Sequence, residues 1–239
     1  MSKTLVVIPA RLAALRLPNK PLLTIQGDPM IVHVWRRGVE ADLGPVLVAC
    51  CGNEIADVVR QAGGQAVVTD PNLPSGTDRV FAAVQAFDPD HRYDTIINLQ
   101  GDLPFIAASS LQAIMEPFVD PDVDVTSIAA PIQNRDDILN PNVVKIALTL
   151  QSSERRGRAL YFSRQAIPYQ APVYYHHIGV YGYRRYALEQ FVGAQPTELE
   201  RIERLEQLRA LELGLRIDVQ ILSEVPHSVD TSLDLEKFA

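Results

Sequence analysis

An α/β protein with a doubly wound, mostly parallel sheet is the fold this sequence predicts, and three observations lead to it. Short apolar runs alternate with helical stretches through the first half of the 239 residues. Those runs lack strict polar alternation, the pattern of strands covered on both faces by helices. The second half places strands one after another without full helices between them, which adds a β-rich elaboration at about residues 134–175. The expectation is a single domain over 1–239 that carries this elaboration.

The elements follow in order. Leu5–Ile8, Val46–Cys50, Ala66–Thr69 and Thr95–Leu99 read as buried strands. Met30–Ala41, Glu54–Ala62 and Asp78–Phe87 between them carry apolar residues at helical spacing, with Asn53 as cap of the second helix and Gly63-Gly64 as its stop. Val123–Ile132, Val143–Leu150, Ala159–Phe162 and Ile178–Tyr183 are the strands of the second half. Thr197-Glu198-Leu199-Glu200 is a capping box. It opens a helix in which Leu199, Ile202, Leu205, Leu208 and Leu211 recur, with Gly214 as the stop. Ile217–Leu222 is a last strand, and a short helix follows Asp230-Thr231-Ser232.

Composition narrows the function classes. A hydrophobic content of 47% and a charged content of 21% are those of a globular protein with a core. The net charge of -7 disfavours nonspecific attraction to nucleic acid or an anionic membrane. No apolar run is long enough to span a bilayer, and Met1–Leu5 leads into a strand rather than a signal peptide. The two cysteines, Cys50 and Cys51, are neighbours that point to opposite faces of a strand. A disulfide is not expected, and a reducing cytoplasm suits the chain. No Cys/His spacing suggests zinc.

In a chain of this charge, a polyanion site needs a local reversal of sign. Pro9-Ala10-Arg11 and Arg16-Leu17-Pro18-Asn19-Lys20-Pro21 supply it: three cations, and no acidic residue between Thr4 and Gly27. Prolines rule out one continuous helix there. The segment leaves the first strand at the carboxyl edge, where doubly wound sheets bind ligands. Arginine forks and a lysine point charge are suited to phosphates. A solvated basic loop is the alternative. The segment is not a P-loop, because no glycine occurs from Pro9 to Pro21.

Gln100-Gly101-Asp102 puts a carboxylate at the end of the fourth strand. Asp102 there either ligates a hard cation such as magnesium or caps a turn. Asp230 in Val229-Asp230-Thr231 is the candidate second carboxylate, or else caps the last helix. Ser75-Gly76-Thr77-Asp78-Arg79 opens the third helix with exposed backbone N–H groups and a close backbone approach that suit a base edge or a phosphate.

These blocks, in this order, resemble the 3-deoxy-manno-octulosonate (KDO) cytidylyltransferase family. Further matching blocks are Pro29–Val34, Asn140–Lys145, Ala159–Arg164, His177–Arg184 and Leu205–Arg209. The resemblance covers nearly the whole chain and implies a nucleotide-diphospho-sugar transferase type of fold. It implies transfer of CMP from CTP to KDO with release of pyrophosphate, for lipopolysaccharide synthesis, with Mg2+ as cofactor and a cytoplasmic homodimer as the working form. Arg11, Lys20, Asp102 and Asp230 are the catalytic residues it implies. Pro9, Ala10, Arg11, Arg16, Lys20, Ser75, Gly76, Arg79 and Gln100 would bind the nucleotide. Arg164, His177, Tyr181, Glu206 and Gln207 would surround the sugar, and Asp102 and Asp230 would hold the metal.

Two departures stand out. Many members read Gln-Gly-Asp-Glu-Pro where this chain has Leu103 before Pro104, and many have Thr-Asp and an acidic stretch where it has Cys50-Cys51-Gly52-Asn53. The rival readings are transfer to 8-amino-KDO or sialic acid, and a nucleotide-binding regulatory protein that has lost turnover. A sugar-nucleotide glycosyltransferase would show Asp-x-Asp at the strand end, where Gln100-Gly101-Asp102 stands instead.

Overall fold

The computed structural model describes residues 3–12, 17–150, 155–229 and 234. The chain forms two compact units, Met1–Leu111 with Pro226–Ala239 and Gln112–Val225.

The first unit is built on β1 (Thr4–Ala10), β2 (Thr24–Ile25), β3 (Asp28–Pro29), β4 (Val46–Cys50), β5 (Gln65–Val68) and β6 (Thr95–Asn98). Its helices are α1 (Met30–Glu40), α2 (Asn53–Gln61) and α3 (Gly76–Phe87). Four strands form a parallel run in the order β5-β4-β1-β6. The chain moves outward from β1 to β4 and β5, then returns to the other side of β1 with β6. That reversal makes the carboxyl end of β1 the switch point at which such sheets open a ligand crevice. Leu5, Val7, Ile8, Ile96 and Ile97 are fully buried, which fixes the sheet.

Local chemistry sets the boundaries. α2 starts one residue earlier than expected, with Gly52 as its N-cap and Asn53 already inside the helix. It ends at Ala62, followed by Gly63 at φ 91°. The hairpin β2–β3 was not anticipated. Its two turn residues, Gln26 and Gly27, both have positive φ, 48° and 91°, as a primed two-residue turn requires.

In the second unit the elements are β7 (Val125–Pro131), β8 (Lys145–Leu150), β9 (Arg156–Ser163), β10 (Tyr175–Arg184) and β11 (Ile217–Ile221). Before them comes α4 (Ala108–Ala113), within which the division between the units falls; α5 (Arg135–Leu139), α6 (Arg185–Gly193), α7 (Glu198–Glu203) and α8 (Gln207–Glu212) complete the set. The strands order as β10-β7-β11-β9-β8, with only β7 and β11 parallel. β8 also reaches β10 through Tyr175↔Ile146 and His176↔Lys145. The expected β-rich elaboration thus corresponds to α5, β8 and β9.

The single helix expected from Leu199 to Leu211 is two. The capping box of Thr197 and Glu200 is formed, but α7 ends at Arg204, which takes the left-handed conformation at φ 55°. A strict three-residue repeat drifts about 60° per step around a helix, so these side chains cannot share one face. The chain breaks instead, burying Leu205 and Leu208 and leaving Ile202 exposed.

Both cysteines are free. Among the described residues no helix is long and apolar enough to cross a membrane. The C-terminal helix expected after Ser232 lies, apart from Asp234, outside the described residues.

Candidate functional site

At the carboxyl end of β1, Pro9 and Ala10 finish the strand and Arg11 follows, exposed and without an ion pair among the described residues. The described ends of the basic segment are bonded to one another. Asn19 donates its N–H to the Leu12 carbonyl and accepts the Leu22 N–H on its own. Asn19 has φ 56°, a left-handed value that asparagine tolerates, and it starts the 3-10 turn Lys20–Leu22. Cys51 Sγ accepts the Leu12 N–H at 3.4 Å, so this cysteine braces the basic segment. Arg16 lies outside the described residues.

Lys20 reaches across to the second expected feature. Its Nζ is 3.4 Å from Asp102 Oδ2, the lysine side chain being 14% and the aspartate 35% exposed. Asp102 leaves β6 through Gly101, where a Cβ would sit 3.1 Å from the Pro9 carbonyl. A glycine therefore lets the two strand ends close together. The Asp102 carbonyl accepts the Val229 N–H at 3.0 Å, and Val229 packs with Leu17, Ile25 and Met30 in one buried cluster. The residue preceding Asp230 is thus tied to Asp102, while Asp230 itself lies outside the described residues. Among the described residues no group of three metal-ligating side chains converges.

The start of α3 forms the other wall. Ser75 is its N-cap, accepting the Asp78 N–H at 3.1 Å and donating its hydroxyl to Asp78 Oδ2 at 2.6 Å. Asn98 donates to Thr77, and Gln100 donates to Asn98 at 3.0 Å, which locks the helix start to the end of β6. A Cβ on Gly76 would lie 3.6 Å from Pro9 Cγ and 3.9 Å from Gln100 Oε1, ordinary contact distances. Gly76→Ala is therefore expected to fold normally while occupying space above Pro9. Thermal unfolding should be unchanged and the KM for the nucleotide that the sequence leads one to expect there, CTP, should rise about tenfold, the effect of one misplaced contact in a fitted pocket. Unchanged CTP kinetics would remove Gly76 from the nucleotide wall.

Arg79 behaves otherwise. It is 2% exposed, and its guanidinium donates to Thr69 Oγ1 at 2.5 Å and to the carbonyls of Asp70 and Pro71. Three of its five donors are spent on the loop after β5.

In the second unit, His177 is 6% exposed, with Nε2 3.0 Å from Ser127 Oγ and Nδ1 3.5 Å from Gln207 Nε2. Its ring stands edge-on to Phe162 at 4.8 Å and lies 5.4 Å from Tyr181. Burial, helped by neighbouring His176, pushes the imidazole down from 6.5 to about 3. Burial also drives the Tyr181 phenol up, with Tyr183 and Glu206 adding to it. The unfolded chain protonates His177 near 6.5 and the folded chain does not. The stability this contributes is full above that value and is lost as pH falls toward 3. His177→Asn should flatten the fall of Tm between pH 7 and 4.5, and a profile parallel to the wild type would refute the buried neutral ring.

Arg164 spends three donors on carbonyls: Nε on Glu203, Nη1 on Pro141 and Nη2 on Arg204. It thereby caps the end of α7 at the left-handed break, just before Glu206 and Gln207. Lys145 is fully buried and gives its ammonium to the carbonyls of Asn140, Val143 and Arg164, at 2.9, 2.6 and 2.6 Å. Burial lowers its pKa, with the Arg164 charge acting in the same direction. Sequence reasoning named neither Lys145 nor Ser127 as functional. The only signal for Lys145 was its place in the Asn140–Lys145 block, and a serine inside an apolar strand, as at Ser127, is the other kind.

A family model described as cytidylyltransferase matches residues 5–217. The chain is 53% identical over 233 residues to a 3-deoxy-manno-octulosonate cytidylyltransferase of Paramagnetospirillum magneticum, covering 98% of this chain and 95% of the relative. It is 54% identical over 235 residues to one from Rhodopseudomonas palustris, covering 98% and 96%. Among solved structures it resembles a CMP:2-keto-3-deoxy-manno-octonic acid synthetase in complex with CTP. The TM-score is 0.90 at 34% identity, over 99% of this chain and 96% of that one. A 4-diphosphocytidyl-2C-methyl-D-erythritol synthase from Anaerococcus prevotii shares the fold at TM-score 0.65 and 9% identity, covering 99% and 96%.

Proposed function

This chain belongs to the 3-deoxy-manno-octulosonate cytidylyltransferase family, and on that premise we propose how its own residues activate KDO with CTP. It is a CTP-dependent nucleotidyltransferase, and its reaction is attack of the sugar's anomeric hydroxyl on the α-phosphorus of CTP. The new oxygen–phosphorus bond forms as the bond to pyrophosphate breaks, and the hydroxyl proton is released. The product is CMP-KDO, the activated sugar for lipopolysaccharide synthesis.

The obstacle is charge, since a carboxylate sugar approaches a polyanion. Arg11, Arg16 and Lys20 neutralise the triphosphate, Arg by forked contacts and Lys as a point charge. Ser75 and Gly76 offer backbone N–H groups to the cytosine, with Gln100 beside them. Arg79 serves the nucleotide side indirectly, by holding the loop Thr69–Pro71. Arg164, His177, Tyr181, Glu206 and Gln207 receive the sugar, Arg164 by fixing the α7–α8 break.

The donor set suits Mg2+. Asp102 is a part-exposed hard oxygen ligand, and magnesium commonly takes one or two carboxylates with phosphate oxygens and water. Asp230 is the second carboxylate in this reading, supported by the bond from Val229 to Asp102. When bound, the metal supplies charge neutralisation at phosphorus and makes the attacking hydroxyl easier to ionise. Lys20, paired with Asp102, holds that carboxylate in place before the nucleotide arrives.

The observation that carries the reading is the 3.4 Å pairing of Lys20 with Asp102 at the carboxyl end of β1 and β6. It joins a phosphate-type cation and a metal-type carboxylate in a chain of net charge -7. The protein works as a cytoplasmic homodimer in this proposal. Exposed Leu139, Leu150 and Leu160 on α5, β8 and β9 support an apolar contact there. Pyrophosphate release with CTP, magnesium and KDO, 8-amino-KDO or sialic acid tests the assignment. Release with KDO in preference to the others is expected. Preference for another acid would change the substrate, and CTP binding without turnover would favour the regulatory reading.

A further inference from the structure

β10 carries a bulge. Its register with β7 shifts between Ile178, which faces Ile128, and Tyr181, which faces Ser127. A bulge takes backbone groups out of the ladder, and in the interior they need another partner. Ser127, fully buried, answers this one: its Oγ lies 2.8 Å from the Val180 carbonyl and 3.3 Å from that of Ile178. The same oxygen is 3.0 Å from His177 Nε2.

A serine hydroxyl has one hydrogen and two lone pairs. With the hydrogen directed at the bulge carbonyls, Oγ can only accept from the ring, so His177 Nε2 is the protonated nitrogen. Burial keeps the ring neutral, which leaves a lone pair on Nδ1. That lone pair faces Gln207 Nε2 at 3.5 Å, the outer limit of a hydrogen bond. The opposite amide orientation would set the Oε1 lone pairs against Nδ1. The bulge therefore dictates a sequence of donor and acceptor roles that ends at the Gln207 amide.

We propose that Ser127 is a positioning residue: through the tautomer of His177 it fixes the Gln207 amide with Oε1 turned away from the ring, as an acceptor for a hydroxyl of the acid sugar. Ser127 touches no substrate in this scheme. The proposal rests on the reading that His177 and Gln207 belong to the sugar side. It differs from a purely structural role for Ser127 because it requires an effect on one substrate and a defined state of one ring.

Two measurements test it. Long-range 15N–1H correlation spectra of the labelled protein report the imidazole tautomer, and the Nε2–H form is expected for His177. An Nδ1–H form in the wild type overturns the proposal with no variant needed. In steady-state kinetics with CTP, magnesium and KDO, Ser127→Ala should raise the KM for KDO about tenfold. It should change the KM for CTP less than about twofold and alter the His177 tautomer signal. In a Gln207→Ala background the same change should add no further rise, because its route to the sugar is gone. Additive effects, or equal rises for both substrates, overturn it. Should Ser127→Ala fail to fold, Ser127→Cys, a weaker hydrogen-bonding group, serves the same comparisons. A Gln207→Ala protein with unchanged KDO kinetics would instead sink the sugar-side reading itself, and the spectrum would still report whether Ser127 sets the ring.

Discussion

Asp102→Ala is expected to abolish pyrophosphate release, by at least about 10³-fold, in a protein that still folds and still elutes as the wild type does. The magnitude is that of removing a group aimed at charge developing on the transferring centre. Folding is spared because the carboxylate is part-exposed and its ion pair with Lys20 spans 3.4 Å. Pairs of that kind contribute about 0–1 kcal/mol. The Asp102 carbonyl keeps its bond from Val229 whatever the side chain. A continuous pyrophosphate assay over a range of magnesium concentrations, beside a thermal melt, makes the comparison. Normal release by the variant would overturn the proposed metal role of Asp102.

Arg209→Ala is expected to cost the fold most. Arg209 and Glu200 pair through two bonds, Nη2 to Oε1 at 2.5 Å and Nε to Oε2 at 2.8 Å, with side chains 7% and 13% exposed. The guanidinium also lies over the Phe191 ring at 4.5 Å and donates to the Phe191 carbonyl. Removing one partner of a buried pair strands the other charge, a loss of about 3–5 kcal/mol. Tm should fall by about 10 °C for a chain of this size. The pH dependence has a definite sign. Burial pushes the Glu200 carboxyl up, but Arg209 and the Thr197 N–H outweigh it, and the net position is below 4.5. The pair therefore stabilises above that value and loses its effect as pH falls further. Melts of wild type and variant should converge in acid. A constant gap down to pH 3 would show that packing on Phe191, rather than charge, sets the difference.

Much of the first unit was legible because its signals are local. The basic stretch from Arg11 to Lys20 contrasts with an acidic chain, and apolar runs bounded by turn residues fixed the strand positions to within a residue or two. Gln100-Gly101-Asp102 put a carboxylate at the strand end, but the close approach of Gly101 to the Pro9 carbonyl was not read from it. What could not be read depends on meetings between distant segments. Nothing near Arg79 says that its guanidinium turns inward to Thr69, Asp70 and Pro71 rather than outward to a ligand. The bond from Val229 to Asp102 joins residues far apart in sequence. The β10 bulge, with Ser127 behind it, leaves no mark in the apolar pattern, because buried strands tolerate a local kink without changing composition. The α7–α8 break was readable in principle, since the leucine repeat has a period of three and a helix does not.

Leu103 follows Gly101-Asp102 at the position where many members of the family are expected to carry a glutamate. It is 4% exposed, part of the packed interior beside Asp102. A glutamate at that position would bury a carboxylate in space shaped for an aliphatic side chain, a change that costs several kcal/mol unless a cation arrives with it. Without a cation, that position therefore admits an aliphatic side chain more readily than a carboxylate.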